Sequence, residues 1–166
     1  MSAHHRPIIK LKLTKLDVVL EVAGVVLLLV MWGFVLYYYP TLPEKIPKYF
    51  EDGKPYGFES KSIWLFATAM CTLCYIFILS VARFPHWAYY LVEVTEENAA
   101  RLYRYCVCMV RIQGILLNVT VLWINVATYW NVVNKTNGLG DWFLPCILVM
   151  FLTPTIFYHA RMVMTR

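Results

Sequence analysis

Four apolar stretches, at 22–39, 63–82, 112–130 and 142–160, take up about half of a 166-residue chain. Each is close to the roughly 20 residues an α-helix needs to cross a ~30 Å hydrocarbon layer. Inside a bilayer the backbone must satisfy its own hydrogen bonds, which leaves helices or closed barrels. These runs lack the alternating pattern of a barrel strand. The expected fold is therefore all-α, an integral membrane four-helix bundle forming one domain over 1–166. A soluble fold around one or two apolar core helices would need the rest of the chain to supply a polar shell. At 60% hydrophobic and 15% charged residues, the chain cannot do so. The first stretch is longer than a signal core of ~7–15 residues and runs into YYYPTLP without a small-residue cleavage site, so it reads as a retained anchor.

Lysine and arginine positions set the expected orientation. Ten flank one side of the spans: Arg6, Lys10, Lys12, Lys15, Arg83, Arg101, Arg104, Arg111, Arg161 and Arg166. Five flank the other: Lys45, Lys48, Lys54, Lys61 and Lys135. The positive-inside rule then puts both termini in the cytoplasm and the loops 40–61 and 131–141 outside. The net charge of +5 is mostly this topology signal, and nucleic acid is not an expected partner. Tyr37, Tyr38, Tyr39, Tyr129, Trp130 and Trp142 sit at span ends as interface anchors.

Residues 95–111 read as a cytoplasmic helix that runs into the third span, with Thr95 as its N-cap. The N-terminal IIKLKLTKLD segment mixes bulky apolar residues with lysine. It reads either as an ordinary basic flank or as a segment lying along the anionic leaflet.

Polar side chains concentrate in the third span. Arg111, Gly114, Asn118, Val121, Asn125 and Thr128 follow at steps of three and four, one stripe of a helix. Lipid offers Asn no partner, so this stripe should face the bundle, either as glue between helices or as a polar cleft. A charge at the depth of Arg111 requires a counter-ion or a path to water. Asp17, Glu21 and Gly24 share a face at the matching end of the first span, so Glu21, with Asp17, is the expected partner of Arg111 or Arg104.

Other chemistry is sparse. Cys71 and Cys74 form a C-x-x-C motif, which admits a membrane thiol oxidoreductase. The outer loops carry no relay thiol, and small packing residues explain the pair more simply. The histidines at 4, 5, 86 and 159 have no ligand spacing, so neither a metal nor a cofactor is expected. There is no phosphate loop and no nucleophile elbow.

The loop 40–61 carries Pro40, Pro43, Pro47 and Pro55 among many aromatic residues. That composition predicts an ordered cap, with Ile46, Tyr49, Phe50, Tyr56 and Phe58 over the outer mouth of the bundle. Within it, Leu42-Pro43, Ile46-Pro47, Tyr49-Phe50, Gly53, Gly57 and Lys61 resemble the signature loop of a bacterial membrane family of unknown function. That domain also forms the N-terminal half of SdpI-type immunity proteins. The segment FPHWAYYLVEVTEENAARLYR is similar to short stand-alone members, so the likeness covers about two thirds of the chain. Family loops commonly carry His where this chain has Tyr49, and the segment between Phe50 and Gly53 is shorter here.

The resemblance implies a bacterial inner-membrane protein with an immunity-like or sensing role and no covalent chemistry. Tyr49, Phe50 and Lys61 would contact an amphipathic peptide or a lipid outside. Glu21, Arg111, Asn118 and Asn125 would form the polar cleft, and Arg101 and Arg104 would face a cytoplasmic regulator. Membrane lipids and a second copy of the chain are further expected partners. The alternative is a transporter subunit that uses the stripe on the third helix.

Overall fold

The computed structural model describes residues 6–9, 11–51 and 54–164. His4, His5, Lys10, Gly53 and Arg166 of the sequence reading lie outside these. Helix α1 spans Lys15–Tyr38. It starts about two turns before the apolar run at 22 because Thr14 and Asp17 form a capping box. The Thr14 amide donates to the Asp17 carboxylate at 2.8 Å, and the Asp17 amide donates back to Thr14 Oγ1 at 3.2 Å. A 3₁₀ turn at Tyr39–Thr41, with Pro40 near its start, ends the helix.

The loop expected to be an ordered cap is a β-hairpin, the one sheet among the described residues of a mostly helical chain. Strand β1 (Lys45–Glu51) pairs antiparallel with β2 (Lys54–Ser60), Tyr49 lying opposite Tyr56 and Pro47 opposite Phe58. Both strands of a two-stranded sheet are edges, which is why Pro47 and Pro55 are tolerated. The period-2 alternation of strands also corrects the packing expected of the cap. Ile46 is buried, whereas Tyr49, Tyr56 and Phe58 share the opposite, exposed face.

Helix α2 (Ser62–Arg83) leads through a 3₁₀ turn at Pro85–Trp87 into an irregular segment. There Thr95 and Asn98 exchange hydrogen bonds in the manner of a capping box. The helix proper starts one turn later than expected, at Ala99. From there α3 runs unbroken to Asn134 and fuses the expected cytoplasmic helix with the third span. Its 36 residues make it about 54 Å long at ~1.5 Å per residue. Lys135, at φ 54°, closes it in the left-handed conformation. Helix α4 covers Phe143–Val163. All four helices are long and apolar enough to cross a membrane, so this is a multi-pass membrane protein, with Ile9, Leu11 and Met162 at one end and the hairpin at the other.

Helix α3 is the axis of the bundle, in contact with α1, α2 and α4. Close approach to α1 and α2 depends on two glycines. The ring of Tyr75 lies against Gly24 on one side and Gly114 on the other, so a methyl group at either position would run into it. On its far side, α3 sends Gln113 to the α4 carbonyl of Phe151 at 3.0 Å and to Thr155 Oγ1 at 2.7 Å. This donor arrives one residue from the Met150 carbonyl, which Pro154, lacking an N–H, leaves without its intrahelical donor.

An apolar cluster closes each end. Val35, Leu42, Ile46 and Trp64 seal the hairpin end. Leu102, Tyr103, Cys106 and Met162 seal the other, where Ile9 and Leu11 pack against them. The N-terminal segment is therefore folded back on the protein: Arg6 donates to the carbonyls of His86 and Ala88, and Tyr103 donates to that of Pro7. Burial in this corner pushes the Tyr90 phenol well above the ordinary tyrosine range.

Candidate functional site

The polar side chains of α3 separate into three levels. At the terminal end, Arg111 Nη1 lies 2.6 Å from Asp17 Oδ1, with the two residues only 3% and 1% exposed. The other oxygen of Asp17 accepts from Arg104 Nη1 at 2.7 Å and from the Thr14 hydroxyl at 2.8 Å. Glu21 touches the cluster more loosely, 3.4 Å from Arg111 and 3.7 Å from Arg83. Asp17 is thus the principal counter-ion, and Glu21 the secondary one, because the capping box holds Asp17 level with both arginines. Taking these charges from water is costly, and their attraction offsets that only with good geometry and further hydrogen bonds. Asp17 has both.

In the middle, Asn118 donates to the Gly24 carbonyl at 2.9 Å and accepts from the Cys71 thiol at 3.6 Å. Cys71 is buried, Cys74 lies on the exposed face of α2, and both are free thiols. Nearer the hairpin, Asn125 donates to Thr68 Oγ1 at 3.2 Å, and Thr68 donates to the Trp64 carbonyl at 2.9 Å. Arg111, Gly114, Asn118 and Asn125 are buried, with Val121 and Thr128 half-buried on the same stripe.

A cleft of about 410 Å³ opens between the hairpin and the upper halves of α2 and α3. Its floor is polar, with Asn125, Thr128 and Asn131, and its rim carries Tyr49 and Phe50. Lys48 and Glu59 pair across the strands where they face the cleft. The hydrogen bond from Lys48 to Glu59 holds the lysine above its ordinary pKa. Trp64 also lines the cleft, and its enclosed Nε1 has no hydrogen-bond partner.

The hairpin is held over this cleft at two places. At its base, Lys61 pairs with Glu44 at 2.8 Å and lies over the Tyr39 ring. Along its edge, the Asn137 side chain accepts from the Phe50 amide at 2.6 Å and donates to the Phe50 carbonyl, which ties the α3–α4 connection to β1. Of the sequence-predicted residues, Tyr49, Phe50 and Asn125 come together at the cleft. Lys61 is engaged in the hairpin's base. Glu21, Arg111 and Arg104 gather at the opposite end, and Arg101 stands exposed on α3.

Sequence reasoning missed Trp64 and Asn137. The first looked like one more apolar span residue, and the second like loop filler. Among the described residues, no group of three or more His, Cys, Asp or Glu side chains is placed to hold a metal ion. Compared with protein families, curated proteins and solved structures, the chain finds no match in any of the three.

Proposed function

We propose that this is a non-enzymatic recognition protein of the bacterial inner membrane, immunity-like or sensing, that binds an amphipathic peptide or lipid in the cleft beneath the hairpin. In this reading the hairpin end faces outward and both termini lie in the cytoplasm, as the distribution of lysine and arginine suggests. The observation that carries it is the cleft's make-up. Phe50 edges a floor of Asn125, Thr128 and Asn131, and Tyr49 stands on the outer face of the same strand. An occupant with an apolar face and a polar edge fits both surfaces. The loop's likeness to the family related to SdpI-type immunity proteins supports the same reading.

Two observations weigh against the competing functions. The amides of Asn118 and Asn125 are already bonded to neighbouring helices, which favours glue over a transport path. The Cys71 thiol is buried against Asn118, out of reach of a soluble redox partner.

The test is survival of cells exposed to a panel of membrane-active bacterial peptides. The cells express either the wild type or a Tyr49→Ala/Phe50→Ala variant, each verified as inserted. Protection by the wild type that the variant loses is the expected outcome. Equal killing of all cells across the panel overturns the peptide reading.

A further inference from the structure

A second cavity, of about 420 Å³, lies at the opposite end of the molecule, enclosed by the N-terminal segment, the end of α2 and the start of α3. Its walls are largely apolar, with Ile8, Leu13, Phe84 and Val107 among them. Its charges do not balance. Lys12, Arg83, Arg104 and Arg111 line it with Asp17 as the sole carboxylate. Even with Glu21, which reaches Arg111 and Arg83 from α1, four cations face two anions.

The surplus sits where a ligand can reach it. Arg104 and Arg111 are committed to Asp17, but Arg83 has only the 3.7 Å contact with Glu21 and a side chain 63% exposed. Lys12 is exposed as well. Behind them, the enclosed Nε of Arg111 has no hydrogen-bond partner. The cavity lies at the ends of two candidate spans, bordered by the first turn of α1 and the last of α2, which is where headgroups would meet a protein whose four helices cross a bilayer. A free phosphate would use the cations and leave the apolar walls empty. A lipid uses both.

We infer that this cavity binds an anionic phospholipid, with the headgroup phosphate held by Arg83 and Lys12 and an acyl chain lying against Leu13, Phe84 and Ile8. Arg104 and Arg111 form the positive floor behind the headgroup. Basic pockets of this kind between spans suit anionic headgroups.

The experiment titrates the purified protein in detergent with phosphatidylglycerol, phosphatidylcholine or inorganic phosphate and reads bound ligand by native mass spectrometry. The wild type is expected to prefer phosphatidylglycerol over phosphatidylcholine by about tenfold, near the effect of one to two cations. Lys12→Gln/Arg83→Gln is expected to lose most of that preference. Lys45→Gln/Lys54→Gln, which removes the same charge from the hairpin, should keep it. Lys12→Gln alone, at an exposed side chain, should lose part of it and serves if the double variant does not fold. Equal binding of the two lipids, or a preference that survives the double substitution, overturns the proposal. Displacement of phosphatidylglycerol by millimolar inorganic phosphate overturns it in favour of a soluble phosphate ligand.

Discussion

Asp17 and Arg111, 94 positions apart in sequence, meet at 2.6 Å with their side chains almost wholly enclosed. The pair joins the first turn of α1 to the first half of α3 and so fixes how the two helices align along their axes. Removing one partner of a buried pair leaves the other uncompensated, which costs about 3–5 kcal/mol. Asp17→Asn is therefore expected to lower the thermal midpoint in detergent sharply. Asp17→Leu with Arg111→Met should recover much of it, since Arg104, with a side chain 30% exposed, can turn to water. An Asp17→Asn protein that melts with the wild type would show that the pair contributes nothing to stability.

The Tyr75 ring distinguishes its two glycines. A methyl group at Gly24 meets the hydroxyl first, whereas at Gly114 it meets the ring edge at 2.9 Å and Ile78 at 3.3 Å. Gly24→Ala and Gly114→Ala should each destabilise by about 1–3 kcal/mol through overpacking. Adding Tyr75→Phe should restore part of the loss for Gly24→Ala and little for Gly114→Ala. Unfolding in detergent measures all four variants, and equal rescue of both would contradict the placement of the ring.

Asn137 is the latch of the hairpin. Asn137→Ala removes both bonds to the Phe50 backbone. At about 1 kcal/mol for each bond, the hairpin edge should open roughly thirtyfold more often. Hydrogen exchange at the Phe50 amide is the direct reading, and unchanged protection would mean that the latch is not closed in solution.

Orientation can be tested by labelling. In a cysteine-free background, Lys54→Cys should react in intact cells with an impermeant maleimide, and Glu96→Cys only after permeabilisation. The reverse pattern would invert the assignment of the two faces.

The native thiols give a fourth check on side-chain placement. Cys71, buried beside Asn118, should resist a membrane-permeant alkylating reagent in the folded protein. Rapid modification of Cys71 would reopen the redox reading.

What the sequence made legible follows from the strength of each physical constraint. The spans could be read because hydrocarbon demands about twenty apolar residues in a row, and the stripe on α3 because Asn in lipid must face a helix. The start of α1 could not, since Thr14 and Asp17 extend it through a charged segment where hydropathy is silent. The hairpin was obscured by Pro47 and Pro55, although Asp52-Gly53, a dipeptide favoured in two-residue strand connections, stands between its halves. Glu21 outranked Asp17 in the sequence because it lies nearer the apolar run. Only the axial offset of α1 against α3, which no spacing within one helix reveals, puts Asp17 level with two arginines. The basic cavity is assembled from three separate segments and has no linear signature.

The unbroken course of α3 has a mechanical consequence. Its hairpin end supplies Asn125, Thr128 and Asn131 to the cleft, and its other end supplies Arg104 and Arg111 to the basic cavity. Intact backbone hydrogen bonds keep such a rod from compressing along its axis, and it has no internal proline or glycine kink, Gly114 being wedged against Tyr75. A tilt or turn of a few degrees imposed at one end is therefore carried to the other, with no hinge to absorb the stroke.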